Sequence, residues 1–226
     1  MKLSDKTIET LKNFSSINPN LVVREGNELS TISEAKNIMA STTVSETFDK
    51  PFGIYDLNEF LSAVSLIKDS ELEFTDNAVK IKNASSSVDY RFANIEILTA
   101  PAKSITMPES NLSITITDEV ISEIRRAGSA LGHPVLSITN SNSDIIVKVC
   151  DPSNPTANTW SKIIQSGDKL VATFDYQFLI SNLKLVPGDY EVNISNKLIS
   201  SWKNTNTSDV EYWIALEKTS TYEDKE

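Results

Sequence analysis

The chain has 226 residues, of which 39% are hydrophobic and 23% charged, and 31 acidic against 21 basic residues give it a formal net charge of -10. No apolar run approaches the roughly 18 residues of a membrane-spanning helix, and the N-terminal segment lacks the continuous hydrophobic stretch of a signal peptide. We therefore expect a soluble, cytoplasmic protein of two domains that has no membrane partner and whose average charge repels polyanions.

The first predicted element is an amphipathic helix over residues 3–16. Its more apolar positions recur at about 100° per residue and share one side of the helix, and they are Leu3, Thr7, Leu11 and Phe14. The opposite side is polar and carries residues of both positive and negative charge. It holds Lys6, Glu9, Lys12 and Asn13, with Lys2 just before the helix. The pattern predicts a helix that covers a core with one face only.

Short β-branched or aromatic segments, separated by Asn, Ser, Asp and Gly, predict strands on both sides of a second helix. In the first half these strands are residues 21–23, 72–74, 79–81 and 90–92. The helix spans residues 56–67, where Asp56 and Glu59 have capping-box spacing and one face holds Leu57, Phe60, Leu61 and Val64. Two prolines and several small polar residues then predict an extended connector over residues 99–113.

The second half repeats this order. A helix over residues 117–130 turns Val120, Ile124 and Ala127 inward and Arg125 and Arg126 outward. Another helix is predicted over residues 175–184, with one face formed by Tyr176, Leu179, Ile180 and Leu183, and it stops at Pro187 and Gly188. Strands are predicted at residues 145–147, 190–192 and 212–214, and residues 151–160 have the prolines and asparagines of a long hairpin turn.

Two similar halves predict an α+β protein with two domains, residues 1–108 and 109–226, each with two helices on antiparallel sheets. Any two amphipathic helices share a period, so the periodicity alone is weak support. The common order of helix, strands, helix and strands is what indicates a duplication.

The sequence offers little material for catalysis. His133 is the only histidine and Cys150 the only cysteine, so neither a metal cluster nor a Ser-His-Asp arrangement is predicted. None of the six glycines belongs to a phosphate-binding motif. We therefore predict a protein that is not an enzyme and that holds no metal and no cofactor. A carboxylate-dependent hydrolase is the catalytic alternative.

Basic residues lie among short neutral polar ones on the outward sides of the predicted helices. Such a surface attracts phosphates without reading base edges. The pattern thus favours loose contact with a phosphate backbone through Lys2, Lys6, Lys12, Arg125, Arg126 and Lys184, which are the candidate DNA-facing residues once the resemblance described next is considered. An ordinary solvated helix face is the alternative explanation of this pattern.

Four stretches of the chain resemble the sliding clamps of T-even-type bacteriophages. They are MKLS-x2-T-x3-LKNF-x2-IN at residues 1–18, IYDLNEFLSAVSLI at 54–67, PGDYEV at 187–192 and EYWIALEKTST at 211–221. The resemblance covers nearly the full length and is lowest at about residues 83–113. It implies the DNA clamp fold and a function as a processivity factor.

The same resemblance implies a ring-shaped homotrimer whose subunits join head to tail, with helices lining the hole and strands forming the outer shell. An ATP-driven clamp loader would open and close the ring around DNA, and the ring would hold the DNA polymerase to its template. Late transcription factors with RNA polymerase are further implied partners, in the cytoplasm of the host cell. Because a closed ring traps DNA topologically, weak contacts with DNA are sufficient.

Partner proteins are expected at an apolar crevice where the connector crosses the second domain, which would take a short peptide with hydrophobic anchors. The candidate residues are Ile105, Met107, Trp213 and Ile214, and a role in the core is the alternative for each. A virion structural or adhesion module is the alternative function, because strand-rich acidic chains with Ser, Thr and Asn turns are common in such proteins.

Overall fold

The computed structural model describes residues 1–154, 156–167 and 172–224, and contacts divide the chain into two compact units. Unit 1 consists of Met1–Ser104 together with the short segments Lys184–Val186 and Asp209–Tyr212. Unit 2 consists of Ile105–Leu183, Pro187–Ser208 and Trp213–Glu226. Within the described part of the chain, no helix is long and apolar enough to cross a bilayer.

Unit 1 combines helices α1 and α2 with short antiparallel strands. Its elements are α1 (Asp5–Ile17), β1 (Leu21–Val23), β2 (Gly26–Ile32), β3 (Ile38–Phe48), β4 (Phe52–Ile54), α2 (Leu57–Leu66), β5 (Glu71–Phe74), β6 (Ala78–Lys82) and β7 (Ser87–Arg91). Strand β1 pairs with β4, β2 forms a hairpin with β3, and β5, β6 and β7 form a sheet in that order. Helix α1 packs against α2 and against the β2–β3 hairpin.

Helix α1 begins and ends close to where the pattern predicts. The Ser4 hydroxyl caps it by accepting a hydrogen bond from the Thr7 amide at 3.2 Å, which satisfies one of the free amides of the first turn. The helix ends at Ile17, because Asn18 is extended and Pro19 follows. The four residues predicted to face inward, Leu3, Thr7, Leu11 and Phe14, are all buried.

Helix α2 is fixed at its start by Asp56. The Oδ1 atom of Asp56 accepts hydrogen bonds from the amides of Asn58 at 2.9 Å and Glu59 at 3.2 Å. Leu57, Phe60 and Val64 of the predicted face are buried, whereas Leu61 is only half-buried.

Unit 2 combines a long helix with antiparallel sheets. Its elements are β8 (Leu112–Ile116), α3 (Asp118–Leu131), β9 (Val135–Ser141), β10 (Asp144–Cys150), β11 (Trp160–Ser166), β12 (Ala172–Leu179), a 3-10 turn (Ile180–Asn182), β13 (Tyr190–Ser195), β14 (Ile199–Asn204), β15 (Glu211–Ala215) and β16 (Thr221–Asp224). One sheet has the order β11-β10-β9-β12-β16, and another runs β15-β14-β13-β8. The first two residues of β15 belong to unit 1.

Helix α3 has defined ends and a clear buried face. The Thr117 hydroxyl accepts a hydrogen bond from the Val120 amide at 3.4 Å, and Gly132 ends the helix in the left-handed conformation with φ of 68°. Val120 and Ile124 are buried, as predicted, whereas Ala127 is only half-buried. The core of unit 2 contains Trp202, whose ring meets that of Phe178 edge-on at 5.8 Å.

The predicted helix over residues 175–184 is wrong, because strand β12 occupies most of this segment. Ala172, Phe174, Tyr176 and Phe178 are buried at every second position, and aromatic side chains favour strands. Strand β12 pairs with β9 along one edge, which places Tyr176 opposite Ile138, and it pairs with β16 along its other edge. Only the 3-10 turn Ile180–Asn182 stands where the first half has α2.

In both units a long helix is followed by strands, then by α2 or the 3-10 turn, and then by further strands, although unit 2 has strand β8 before its helix. The result is an α+β fold with antiparallel sheets. Residues 99–111 carry neither helix nor strand, so the connector predicted at 99–113 ends where β8 begins. Strands β10 and β11 form an antiparallel hairpin around residues 151–159, as predicted. Pro155 in that turn lies outside the described residues.

Candidate nucleic-acid interface

Three of the predicted DNA-facing lysines lie on or just before α1 in unit 1, and all three are exposed. Each is near one carboxylate, in the ion pairs Lys2–Asp69 at 3.4 Å, Lys6–Asp209 at 2.9 Å and Lys12–Glu9 at 2.7 Å. Solvent-exposed pairs of this kind contribute only about 0–1 kcal/mol. The lysines can therefore exchange these partners for phosphates at little cost.

Lys184, a fourth candidate, lies in a short segment of unit 1 against the end of α1. Its side chain is half-buried and donates a hydrogen bond to the carbonyl of Ser16, and its own carbonyl accepts one from Asn13 Nδ2 at 2.8 Å. A cation at the carboxyl end of a helix is favourable because it satisfies free carbonyls. Lys184 thus has a structural contact that the sequence did not predict.

A buried carboxylate on β3 holds the start of α1. Glu46 accepts hydrogen bonds from the Ser4 amide and from the Thr7 hydroxyl, both at 2.5 Å. Burial by itself would raise the pKa of Glu46, but the hydrogen bonds from Thr7 and Ser4 outweigh it and hold the pKa below its usual value. The ionised carboxylate also meets the positive end of the helix dipole. Helix α1, and the lysines on it, therefore have a fixed position in unit 1.

A groove of about 340 Å³ runs between α1 and α2 within unit 1. Lys2 and Lys12 both line it, so the structure brings these two predicted residues together. Its apolar lining includes Leu61 and Val64 of α2. Lys68 also lines the groove and was missed by the sequence analysis, although it directly follows the helical segment predicted at 56–67.

In unit 2 the predicted basic residues are neighbours on the exposed side of α3. Arg125 donates a hydrogen bond from Nη2 to the carbonyl of Leu183 at 2.8 Å, so it also fastens the helix to the chain after the 3-10 turn. Arg126 is exposed beside it. On the same helix Glu123 forms an ion pair with Lys162 at 2.8 Å. The negative charge of Glu123 is therefore compensated by Lys162. The role of the two arginines in DNA contact stays a prediction.

The predicted partner-binding residues have different environments. Ile105 and Met107 are partly exposed on the irregular connector. Burial alternates along β15, so Trp213 is half-buried while Ile214 is fully buried. Ile214 is therefore a core residue and no partner can reach its side chain, which corrects that assignment. Contact of the other three with a partner stays a prediction.

The residues considered for catalysis have ordinary structural environments. Burial raises the pKa of the Cys150 thiol, and the nearby Asp175 carboxylate adds to this effect. A reactive cysteine needs a lowered pKa instead. His133 Nε2 lies 2.8 Å from the Asn158 carbonyl in the β10–β11 turn. Among the described residues, no group of three His, Cys, Asp or Glu could hold a metal ion.

Exposed apolar side chains mark one edge in each unit. Strand β11 is an edge strand of its sheet, and its Ile163 is 53% exposed. In unit 1, β7 is an edge strand, and the 3-10 turn that follows carries Ile95 at 37% and Ile97 at 68% exposure. Edge strands with exposed apolar residues favour pairing with another chain.

Comparison with known proteins points to one family. A family model described as DNA polymerase processivity factor matches residues 2–105. The sliding clamp of Escherichia phage RB69 is 29% identical over 230 residues, which cover 99% of this chain and 100% of that protein. This match over the full length does not favour the alternative of a virion structural or adhesion module.

Solved structures agree on the fold. The β clamp of H. pylori, solved with 5-chloroisatin, superposes with a TM-score of 0.71 at 10% identity over 96% of this chain, which spans 65% of the length of that protein. A. fulgidus PCNA, solved with the C-terminal region of FEN-1 bound, gives a TM-score of 0.68 at 12% identity and covers 95% of this chain and 96% of its own. At these identities the likeness establishes the clamp fold.

Proposed function

Since the chain belongs to the sliding clamps of T-even-type bacteriophages, we propose that three copies close head to tail into a ring around duplex DNA. As a sliding clamp and DNA polymerase processivity factor, the protein works by tethering and catalyses no reaction. The observation that carries the proposal is the match to a sliding clamp over 99% of the chain. Residues 1–108 and 109–226 are the two clamp domains of this proposal.

Ring closure needs two different surfaces on each copy. A head-to-tail contact is heterologous, so a patch on one copy meets another patch on the next, and a suitable rotation closes the ring. The edge of β11 with Ile163 and the edge after β7 with Ile97 are two such patches. We assign the junction to them, because pairing would bury both isoleucines and satisfy free backbone groups.

The DNA-facing surface in this proposal consists of the exposed basic residues of α1 and α3. Lys6 and Lys12 have only exposed ion pairs to give up, and Arg126 is exposed beside the anchored Arg125. Lys2 and Lys184 belong to the same set at the two ends of α1. Phosphate contact of this kind is independent of sequence, as sliding requires, and enclosure by the ring replaces tight binding.

The partners are the DNA polymerase, an ATP-driven clamp loader and, for the late genes, transcription factors with RNA polymerase in the host cytoplasm. A clamp-fold protein, A. fulgidus PCNA, binds the C-terminal region of another protein. By analogy, a short peptide with apolar anchors would dock on this chain at Ile105, Met107 and Trp213, which have partly accessible side chains.

Native mass measurement of the purified full chain, with and without nicked circular DNA, tests the proposal. We expect the mass of three copies, and complexes on circular DNA that dissociate once the circle is cut into a linear molecule. A chain that stays monomeric at micromolar concentration, or a complex that ignores the presence of DNA ends, would refute the ring.

Charge reversal then tests the DNA-facing surface. Lys12→Glu combined with Arg126→Glu should shorten the lifetime of the loaded ring and lower processivity, while the native mass stays that of a trimer. Arg126 is preferred to Arg125 for this test because Arg125 also holds the Leu183 carbonyl. The matched control is Lys36→Glu, an exposed lysine in the β2–β3 turn, which should behave like the wild type.

A further inference from the structure

A pocket of about 200 Å³ in unit 1 opens between the β3–β4 turn and the β5–β6 turn. Its walls are aromatic, and we call it the phenylalanine pocket because it is lined by Phe48, Phe52, Phe74 and Phe92. The ring centroid of Phe52 lies 4.8 Å from that of Phe92 and 5.2 Å from that of Phe74. Pockets for whole small molecules have roughly 300–1,000 Å³, so this one has room for a single apolar side chain.

The phenylalanine pocket can adapt to its occupant. Phe74 and Phe92 are only half-buried, so part of each ring faces the open side. A small void of about 10 Å³ adjoins the pocket, shares Phe48, Phe52 and Phe74 with it, and is lined by apolar side chains alone. Rings beside a void lack contacts on one side, so they lose little when they shift to accept another ring.

A more open depression of about 450 Å³ continues the phenylalanine pocket. The two share Pro51, Phe52, Asp76 and Phe92, and the depression reaches Glu96 in the 3-10 turn after β7. We call the pocket and the depression together the trough. An aromatic hole that continues into a polar channel matches an extended peptide, which anchors one side chain and lays its main chain along the channel.

The charges of the trough favour a basic peptide. Three carboxylates line it, those of Asp49, Asp76 and Glu96, against Lys50 and the Met1 ammonium, which is engaged with a main-chain carbonyl. Lys50 pairs with Asp76 at 2.7 Å, and the pair is exposed, so it can separate at little cost. Among the described residues, no basic group lies within ion-pair distance of Asp49 or Glu96.

We propose that the trough binds a short segment of a partner protein, with an aromatic side chain in the phenylalanine pocket and a neighbouring lysine or arginine facing Asp49 or Glu96. Aromatic and basic anchors of this kind carry much of the binding free energy in protein interfaces. The site lies in unit 1, whereas the dock proposed at Ile105, Met107 and Trp213 belongs to unit 2. It needs no ring closure and no DNA.

The test uses the full chain and the peptide acetyl-Gly-Lys-(para-fluoro-Phe)-Lys-Gly-amide, whose fluorine NMR signal shifts and broadens on binding. Phe92→Ala removes one wall of the phenylalanine pocket and should weaken binding about fivefold or more. The matched control is Tyr55→Ala, because Tyr55 is an aromatic residue of unit 1 that is 65% exposed and does not line the trough. It should bind the peptide like the wild type, and thermal unfolding checks the fold of each variant.

A second pair of variants tests the charges without touching the aromatic walls. Asp49→Asn combined with Glu96→Gln should weaken binding of the peptide on the order of two- to fivefold and reduce its dependence on salt. Glu28→Gln, on the exposed side of β2, should leave both unchanged. Because these are surface substitutions, this arm remains informative even if Phe92→Ala does not fold.

Several results would overturn the inference. Peptide binding that is the same in Phe92→Ala and in the charge variants as in the wild type would exclude the trough. If N-acetyl-para-fluorophenylalanine amide bound as tightly as the peptide, the pocket would be a site for free aromatic molecules. If folded Phe92→Ala lost the trimer mass that the wild type shows, a second copy of the chain would be the occupant. A wild type that is monomeric but binds the peptide would refute the ring and support this inference.

Discussion

Glu46 accepts a hydrogen bond from the Thr7 hydroxyl at 2.5 Å, and this contact ties strand β3 to the first turn of α1. The same carboxylate accepts the Ser4 amide, so a single buried charge satisfies groups that the start of a helix otherwise leaves free. Since α1 carries Lys6 and Lys12, the position of these lysines depends on Glu46.

Replacing this carboxylate should destabilise unit 1. We expect Glu46→Gln to lower the free energy of unfolding by about 1.5–3 kcal/mol, because hydrogen bonds to a charged group are lost and a buried donor is left unsatisfied. Urea unfolding at constant subunit concentration measures the change, since assembly also affects stability. Glu28→Gln is the control, because Glu28 is exposed and accepts a hydrogen bond from the Ser41 hydroxyl at the surface. A loss no larger than that of the control would contradict the role of Glu46.

The contribution of Glu46 should also depend on pH. Its pKa is lower in the folded chain than in the unfolded one, so the folded state favours the carboxylate. The resulting stability is fully present above the ordinary glutamate pKa of about 4.3 and is lost as the pH falls through the lower folded value. The difference in unfolding free energy between wild type and Glu46→Gln should thus be constant from pH 7 to 6 and shrink below pH 4. A difference that stays the same in acid would rule out ionised Glu46 as the cause.

Gly188, in the PGDYEV stretch, should not tolerate a side chain. Its φ is 138°, and an added Cβ would lie 2.5 Å from Asn204 Nδ2 and 2.6 Å from Thr207 Oγ1. Its amide also donates to Asp118 at the start of α3, at 2.9 Å. We expect Gly188→Ala to cost about 1–3 kcal/mol of stability from backbone strain, with the steric overlap in addition. Thermal unfolding measures the loss.

Gly167→Ala is the matched comparison for this prediction. Gly167 also has a positive φ, 93°, but among the described residues, apart from its chain neighbours, no atom lies within 4 Å of an added Cβ. It should therefore show the backbone strain without the overlap. Equal losses for the two variants would mean that the contacts with Asn204 and Thr207 yield easily.

Arg125 and Arg126 should differ in stability although they are adjacent and both exposed. Arg125→Gln removes the guanidinium that donates to the Leu183 carbonyl at 2.8 Å, so a loss of about 1 kcal/mol is expected. Arg126→Gln should stay within about 0.5 kcal/mol of wild type, as most surface substitutions do. Urea unfolding of the two variants distinguishes them, and identical stabilities would contradict the anchoring role of Arg125.

Local periodicity was sufficient to predict α1, α2 and α3, because each has one apolar face and a capping residue at its start. It failed at residues 175–184, where the same side chains satisfy both a helical and an alternating pattern. Strand β9 and strand β16 decide between the two by pairing with β12. That information lies in distant parts of the chain, which a local pattern does not contain.

The candidate site could be predicted only in outline. Lys6, Lys12 and Arg126 are exposed as the helical pattern requires, but the contacts of Arg125 with Leu183 and of Lys184 with Ser16 join residues far apart in the sequence. Lys68 follows α2 rather than lying on it, so a search of helix faces missed it. Ile214 was assigned from hydrophobicity, which does not tell a core residue from a partner contact.

The subunit junction gives the last prediction. Burying an isoleucine side chain contributes about 1.5–3 kcal/mol, which is tenfold or more in the dissociation constant of each junction. Ile163→Asp on β11 should remove this burial free energy and place a charge between the chains. On dilution, the variant should therefore dissociate into monomers at a higher protein concentration than the wild type does. Ile97→Asp, on the proposed opposite patch, should act in the same direction. Native mass and light scattering over a dilution series measure the effect.

Leu66→Asp is the control for the junction, because Leu66 is 74% exposed on α2 and not on a sheet edge. The control should keep the mass of three copies at every concentration at which the wild type does. Trimers as stable as the wild type in both single variants would place the junction elsewhere on the chain, without affecting the assignment of the chain to the sliding clamps.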